Sequence, residues 1–254
     1  MLRSHQWRTV ENSAGYLLDA FVPGARVLDV GCGPGTITVD IAARVAPGRV
    51  LGLDRADEVL EAARAAARDA EVDNVEFAVG DVYALDLPDA SFDVVHAHQV
   101  LQHLTDPVAA LREMRRVCAP GGVVAARDSD YATFTWWPED PRLTRWIELY
   151  HDVARSNDAE PDAGRRLLAW AHAAGFSEVA ATASVWCFAT PEDRAWWGGL
   201  WSDRIVASAF ADQAIDRGLA ERAELEDISD AWRAWSESPD AWFAIVHGEI
   251  RALA

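Results

Sequence analysis

The sequence contains no lysine, because all 23 of its basic side chains are arginines. The chain therefore has no amine for Schiff-base chemistry or pyridoxal-phosphate attachment, and it lacks the lysine of phosphate-binding P-loops. Basic residues are also outnumbered, since 41 Asp and Glu residues bring the net charge to −18. A surface of this sign repels phosphate backbones and anionic lipids. We expect binding to neither nucleic acid nor a membrane surface.

Cysteine is scarce, and long apolar runs are missing. Cys32, Cys118 and Cys187 are an odd number of widely spaced cysteines, so they predict neither a disulfide framework nor a zinc site, and we expect no metal. The first fifteen residues lack the apolar core of a signal peptide. No apolar run reaches the roughly 18 residues that a membrane span needs. These absences lead us to expect a reduced, cytoplasmic protein.

The first half of the chain alternates short apolar runs with helical patterns, which is typical of a parallel α/β sheet. Seven strands are predicted, at residues 26–30, 50–54, 75–79, 92–98, 123–127, 179–188 and 242–250. We expect a doubly wound, Rossmann-like, mostly parallel sheet whose last strand is antiparallel and is preceded by a helical cap. One domain is predicted for residues 1–254, with a core at about 15–190 and 241–251 and a helical insert at about 191–238.

A glycine loop follows the first strand, in the segment VLDVGCGPGT at residues 27–36. Gly31, Gly33 and Gly35 have no Cβ, so the turn can be sharp and a ligand can lie on the backbone. A dinucleotide fingerprint would require glycine where Thr36 stands. Asp29 is unfavourable beside a pyrophosphate and suits a cationic ammonium group instead. The alternative is a tight strand-to-helix turn that binds nothing.

Two further acids close the next two strands. Asp54 is placed to accept hydrogen bonds from both hydroxyls of a ribose, and Asp81 from an exocyclic amino group such as that of adenine. Each acid alone is more typical of a helix cap or turn. Three acids at the ends of three successive strands favour a ligand with an ammonium group, a ribose and a base.

The segments VLDVGCGPGT, LGLDRADEVLEAAR and FAVGDVYALDLPDASFDVVHAHQVLQHL resemble the class I S-adenosylmethionine-dependent methyltransferases. The likeness covers about residues 15–130 and is nearest to the subgroup that methylates small molecules such as quinones and natural products. It implies S-adenosylmethionine as the cofactor. It also implies a set of cofactor-binding residues: Tyr16, Asp29, Gly31, Cys32, Gly33, Gly35, Asp54, Arg55, Asp81, Val82, His98 and Gln99.

Methyl transfer is a displacement at a sulfonium, so the protein contributes mainly by holding the acceptor in line with the methyl group. A general base is needed only where the acceptor must lose a proton. The candidates for that role are His98, Asp130 and His151, whereas His103 is interpreted as support for its loop. The sequence lacks the N/D-P-P-Y motif of enzymes that methylate amino groups of bases.

Eleven of the twelve tryptophans lie beyond residue 135. Trp136, Trp137, Trp197 and Trp201 are predicted to line an acceptor pocket, with the insert acting as a helical lid. In the alternative interpretation the insert extends the core or forms a dimer interface, so a homodimer stays open. Most of the other tryptophans, among them Trp146, are interpreted as core residues.

The sequence therefore predicts methyl transfer from S-adenosylmethionine to a small acceptor of aromatic or apolar character. Two alternatives stay open. One is a protein methyltransferase, since the charge and the missing motifs oppose only an RNA substrate. The other is a regulatory subunit that binds the cofactor without catalysis.

Overall fold

The computed structural model describes residues 7–254, so the first six residues of the segment tested for a signal peptide lie outside the described part. The described residues fall into two compact units. The sheet unit comprises residues 7–128, Ala163–Ala183 and Gly248–Ala254, and the tryptophan unit comprises Ser129–Asp162 and Ser184–His247. The second unit holds the predicted insert together with residues 129–162, which the sequence analysis assigned to the core.

The strands are β1 Arg26–Val30, β2 Arg49–Asp54, β3 Val75–Val79, β4 Phe92–His98, β5 Cys118–Ser129, β6 Thr135–Trp137, β7 Val179–Phe188 and β8 Trp242–Leu253. The α-helices of the described residues are α1 Val10–Ser13, α2 Thr36–Val45, α3 Asp57–Asp69, α4 Pro107–Val117, α5 Pro141–Arg155, α6 Leu167–Ala173, α7 Pro191–Arg204, α8 Ala209–Asp216 and α9 Arg222–Glu237. All seven predicted strands are present, β5 begins earlier than predicted, and β6 is additional.

In the sheet unit the strand order is β3-β2-β1-β4-β5-β8, and β7 pairs with β8. Strands β1 to β5 pair in parallel. β8 runs against β5, because the amide of Gly121 donates to Ala254 and the amide of Asp130 donates to Val246. The predicted mostly parallel, Rossmann-like sheet with an antiparallel last strand is confirmed.

Apolar residues of the sheet unit form one core cluster on each side of the sheet. Val27 packs in the cluster that contains Ile37 and Ile41 of α2, while its neighbour Leu28 packs in the cluster that contains Leu111 of α4. This division follows from the pleat, which points successive side chains to opposite faces. Helices therefore cover both faces, and the carboxyl ends of β1, β2 and β4 meet at one edge.

A buried ion pair joins β5 to β8 in the sheet unit. Arg127 Nε lies 3.2 Å from Glu249 Oε1, and the Thr182 hydroxyl donates to Glu249 Oε2 at 2.8 Å. Both charged side chains are almost fully buried. Burial lowers the pKa of Arg127 to about 10, although the charge of Glu249 opposes that shift. Loss of either partner is therefore expected to destabilise the fold strongly, because the other buried charge would lose its counter-charge.

The core of the tryptophan unit is aromatic. Trp146 contacts Trp201 and Trp232 edge to face, with ring centroids 4.5 and 4.9 Å apart. Ser229 on α9 donates to the carbonyl of Ser202 on α7 at 2.8 Å and ties these helices together. In the described part of the chain, no helix is both long and apolar enough to cross a membrane.

Candidate functional site

The glycine loop after β1 requires glycine, because its backbone is left-handed and because a Cβ would clash with neighbouring side chains. Gly31, Gly33 and Gly35 have φ values of +68°, +53° and +77°, in the left-handed region that favours glycine. A Cβ on Gly31 would come within 2.4 Å of a Val100 methyl group, and one on Gly35 within 2.7 Å of Ala63 Cβ. The loop therefore turns sharply from β1 into α2.

Asp54, at the end of β2, braces this loop. The amide of Gly33 donates to Asp54 Oδ2 at 3.0 Å, and the amide of Ala56 donates to Oδ1 at 3.0 Å. Each carboxylate oxygen can accept more than one hydrogen bond, so both keep capacity for a ligand. The loop-bracing contact is a second role, which the sequence analysis did not predict. The neighbouring Arg55 is exposed.

Asp29, on β1, is buried between two partners that the sequence analysis missed. The Thr38 hydroxyl donates to Asp29 Oδ2 at 2.6 Å, and His96 Nδ1 lies 2.8 Å from Oδ1. His96 is the residue of β4 that stands beside Asp29 in the parallel register. The sequence contained a signal for the contact between Asp29 and His96, because β1 and β4 were both predicted and their parallel pairing places these two residues side by side.

A small cavity lies at the glycine loop. Its lining includes Asp29, Gly31, Cys32 and His98, which the sequence analysis had assigned to the cofactor site, and Arg8, which it had not. Burial and the nearby acids raise the pKa of the Cys32 thiol, so this cysteine is not an activated nucleophile. The structure thus brings four of the predicted residues to one place.

Gln99, directly after β4, has a strained backbone. Its φ of +54° is in the left-handed region, which is uncommon for a residue with a side chain. Its amide donates to the carbonyl of Arg127 at 2.7 Å, and its side-chain oxygen accepts a hydrogen bond from Arg8. Strain of this kind is concentrated at functional sites.

Asp81 and Val82, which were predicted near the adenine, have structural partners, whereas Tyr16, which was predicted to cover the cofactor, is a partly buried tyrosine. Asp81 accepts the amide of Tyr83 at 3.0 Å, which is the turn role weighed against adenine binding, and Val82 packs in a core cluster. The Tyr16 hydroxyl is buried without a hydrogen-bond partner among the described residues. Burial and the charge of Glu249 raise the pKa of Tyr16.

Asp128, near the end of β5, is a buried acid that no prediction singled out as catalytic. Its Oδ1 accepts the amide of Gln102 at 3.1 Å, and its Oδ2 has no partner in the part of the chain that the structure describes. Burial raises the pKa of Asp128 to about 7. The side chains of Gln102 and His103 are 3.1 Å apart at their nearest nitrogens.

Two predicted catalytic candidates, Asp130 and His151, belong to the tryptophan unit. Asp130 is buried, and its carbonyl accepts the amide and the hydroxyl of Thr133. The ring nitrogens of His151 each lie 2.8 Å from an oxygen, the carbonyl of Ile147 and Oδ1 of Asp162. Because both nitrogens face acceptors, the geometry favours a structural role for His151 over that of a base.

No group of His, Cys, Asp and Glu able to hold a metal ion is found among the described residues.

The four tryptophans predicted to line an acceptor pocket occupy different environments. Trp136 lines a cavity of about 540 Å³ together with Phe134, whereas Trp137 is 58% exposed. Trp197 and Trp201 are only 7% and 2% exposed. Trp197 stacks on Phe188 with ring centroids 4.4 Å apart. The burial of Trp197 and Trp201 favours the core interpretation of α7 over the lid interpretation.

Comparison with known proteins decides the family. A family model described as a methyltransferase domain matches residues 21–192. An uncharacterised methyltransferase of Schizosaccharomyces pombe is 37% identical to this chain, over 97% of the chain and 91% of the relative. The chain belongs to the class I S-adenosylmethionine-dependent methyltransferases. Its cofactor is S-adenosylmethionine.

Two further comparisons show a sequence relative that matches part of this methyltransferase and a solved structure that matches nearly all of it. A demethylmenaquinone methyltransferase of Listeria welshimeri is 36% identical over 46% of this chain and 50% of its own length. The crystal structure of the YcgJ protein of Bacillus subtilis superposes with a TM-score of 0.59 at 22% identity, covering 94% of this chain and 97% of YcgJ. The chain therefore shares the fold of YcgJ over nearly its whole length.

Proposed function

We propose that this methyltransferase transfers the methyl group of S-adenosylmethionine to a small acceptor of aromatic or apolar character. The observation that carries the acceptor class is the cavity of about 540 Å³ lined by Phe134 and Trp136 in the tryptophan unit. Its volume lies within the range of pockets for small organic ligands, and its two aromatic side chains suit a flat molecule. Glu139, Asp140 and Thr144 make most of the rest of the lining polar.

The residues at the glycine loop fit the cofactor by their chemistry. Asp29 is an acid beside the loop that would repel a pyrophosphate and attract the ammonium group of S-adenosylmethionine. In this proposal the backbone of the glycine loop, with Cys32, lies under the methionine part, and Asp54 accepts the ribose hydroxyls. Asp81, Val82 and Arg55 surround the adenine, and His98, Gln99 and Tyr16 complete the site.

When bound, the cofactor supplies an electrophilic methyl group on a sulfonium. The protein has to orient the acceptor, exclude water and, for a hydroxyl or carbon acid, accept a proton. His98 is the candidate base that lines the cavity at the glycine loop. Asp130 is the second candidate, because it is a buried carboxyl group in the tryptophan unit.

Two observations support a small molecule, rather than a macromolecule, as the methyl acceptor. The Listeria relative is named for demethylmenaquinone, which is neither a protein nor a nucleic acid. A net charge of −18 opposes the phosphate contacts on which nucleic-acid binding depends. We also propose a cytoplasmic location, since Cys32, Cys118 and Cys187 are free thiols.

Transfer of an isotope-labelled methyl group tests this proposal. The enzyme is incubated with labelled S-adenosylmethionine and, in separate reactions, with a panel of phenols and hydroquinones, with protein extract and with RNA. We expect label in the small aromatic acceptors, together with an equal amount of S-adenosylhomocysteine. Label in protein or RNA alone would contradict the proposal.

Two tryptophan variants test the position of the acceptor in the same assay. Trp136→Ala removes a wall of the cavity and is expected to raise the KM for the acceptor about tenfold, as for about 1.4 kcal/mol of lost contact. Trp242→Ala is the matched control, because this residue is 39% exposed and does not line the cavity. Equal effects of the two changes would place the acceptor elsewhere.

A further inference from the structure

Arg8 is held in place by a short, well-capped segment. The Thr9 hydroxyl caps α1 by accepting the amide of Asn12, and the Asn12 side chain accepts the amide of Thr9 in return. The Asn12 side chain also donates to the carbonyl of Trp7 at 3.0 Å. The segment is fixed to α2, because the amide of Val10 donates to Asp40 at 3.2 Å. The backbone of Arg8 is therefore anchored from both sides.

The side chain of Arg8 reaches the cavity at the glycine loop, where Asp29 is the acid. Among the described residues that line this cavity, Arg8 carries the only guanidinium and Asp29 the only carboxylate. Gln99, with its strained backbone, presents its side-chain oxygen to Arg8 Nη2. A cation and an anion on one small cavity complement a zwitterion, the charge state of an α-amino acid.

The start of α2 adds to the positive side of this arrangement. Thr36 and Ile37 are the first two residues of α2, and both line the cavity. The first amides of a helix have no acceptor within the helix, and the helix dipole makes this end positive. A carboxylate beside Arg8 would therefore also face the positive end of a ten-residue helix.

We propose that Arg8 binds the α-carboxylate of S-adenosylmethionine and of its product, opposite the ammonium that Asp29 attracts. This inference rests on the proposed placement of the cofactor at the glycine loop. A guanidinium can donate two parallel hydrogen bonds to a carboxylate, which gives affinity and orientation together. The site then recognises the complete amino-acid end of the cofactor as well as its nucleoside.

Two ligands that differ in one group test the role of Arg8. S-adenosylhomocysteine and its decarboxylated analogue, which keeps the ammonium and lacks the carboxylate, are titrated by calorimetry into the wild type and Arg8→Gln. We expect Arg8→Gln to weaken S-adenosylhomocysteine about 10- to 100-fold, the range for a lost hydrogen bond between charged groups. The affinity of the decarboxylated analogue is expected to stay the same in both proteins, within about threefold.

Arg44→Gln is the matched control, because Arg44 pairs with Glu11 of the same N-terminal segment and does not line the cavity. It is expected to leave both affinities unchanged. Arg8→Lys keeps the charge and is expected to bind S-adenosylhomocysteine with intermediate affinity, which keeps the test decisive if Arg8→Gln folds poorly. Equal losses for both ligands, or no loss for either, would overturn the inference. A wild type that binds neither ligand would overturn the proposed cofactor site itself.

Discussion

Trp201→Ala is expected to lower the free energy of unfolding by about 3–5 kcal/mol, the usual cost of truncating a large buried aromatic residue. Trp201 is 2% exposed, and its ring lies between Trp146 at 4.5 Å and Trp197 at 5.9 Å, measured between centroids. The Arg204 guanidinium covers the same ring at 4.6 Å. Truncation would leave a cavity in the middle of the aromatic core of the tryptophan unit.

Urea unfolding followed by tryptophan fluorescence and by circular dichroism measures this loss. Trp137→Ala is the matched control, because it removes the same side chain from a position that is 58% exposed in the same unit. We expect the control to cost less than about 1 kcal/mol. If Trp201→Ala kept its stability and instead slowed methyl transfer, the lid interpretation of α7 would be right and the core interpretation wrong.

Glu249→Ala is expected to lower the free energy of unfolding by about 3–5 kcal/mol, because it leaves the Arg127 guanidinium buried without the charge of Glu249. Arg127 is 1% exposed, and the pair bridges β5 and β8 at 3.2 Å. The change also removes the acceptor of the Thr182 hydroxyl. The cost comes from keeping the Arg127 charge buried without Glu249 more than from the lost attraction.

An exposed pair in the same unit provides the control for Glu249. Asp19 pairs with Arg251 at 2.7 Å, but the Asp19 side chain is 70% exposed, so Asp19→Ala is expected to cost less than about 1 kcal/mol. Both variants are compared by thermal and urea unfolding. Equal small losses for the two changes would show that burying Arg127 without Glu249 carries no large cost.

The sheet could be predicted from the sequence because each strand is a compact apolar run between turn residues. β6 was missed because three residues, Thr135–Trp137, are too few to show a period. The start of β5 was missed because Gly121 and Gly122 look like a break between a helix and a strand. In the structure these glycines are strand residues, since both form hydrogen bonds with Ala254 near the chain end.

The candidate site was predictable where it follows directly from strand ends, and not where it depends on contacts across the fold. The glycine loop and Asp54 are next to each other in space because β1 and β2 are parallel neighbours. Arg8 and its partner Gln99 are 91 residues apart in the sequence, and no local sequence pattern predicts that contact. The tryptophans could not be divided into buried and exposed ones, because a pattern of spacing does not say what covers a helix face.

Calorimetric titration with S-adenosylhomocysteine and, separately, with NAD tests the cofactor assignment most directly. We expect micromolar binding of S-adenosylhomocysteine, about 8 kcal/mol, and no measurable binding of NAD. Asp54→Ala should weaken the binding of S-adenosylhomocysteine by about 1.5–3 kcal/mol, because in the proposed placement of the cofactor it loses a charge-assisted bond to the ribose. Tight binding of NAD together with no binding of S-adenosylhomocysteine would contradict the assignment of S-adenosylmethionine as the cofactor.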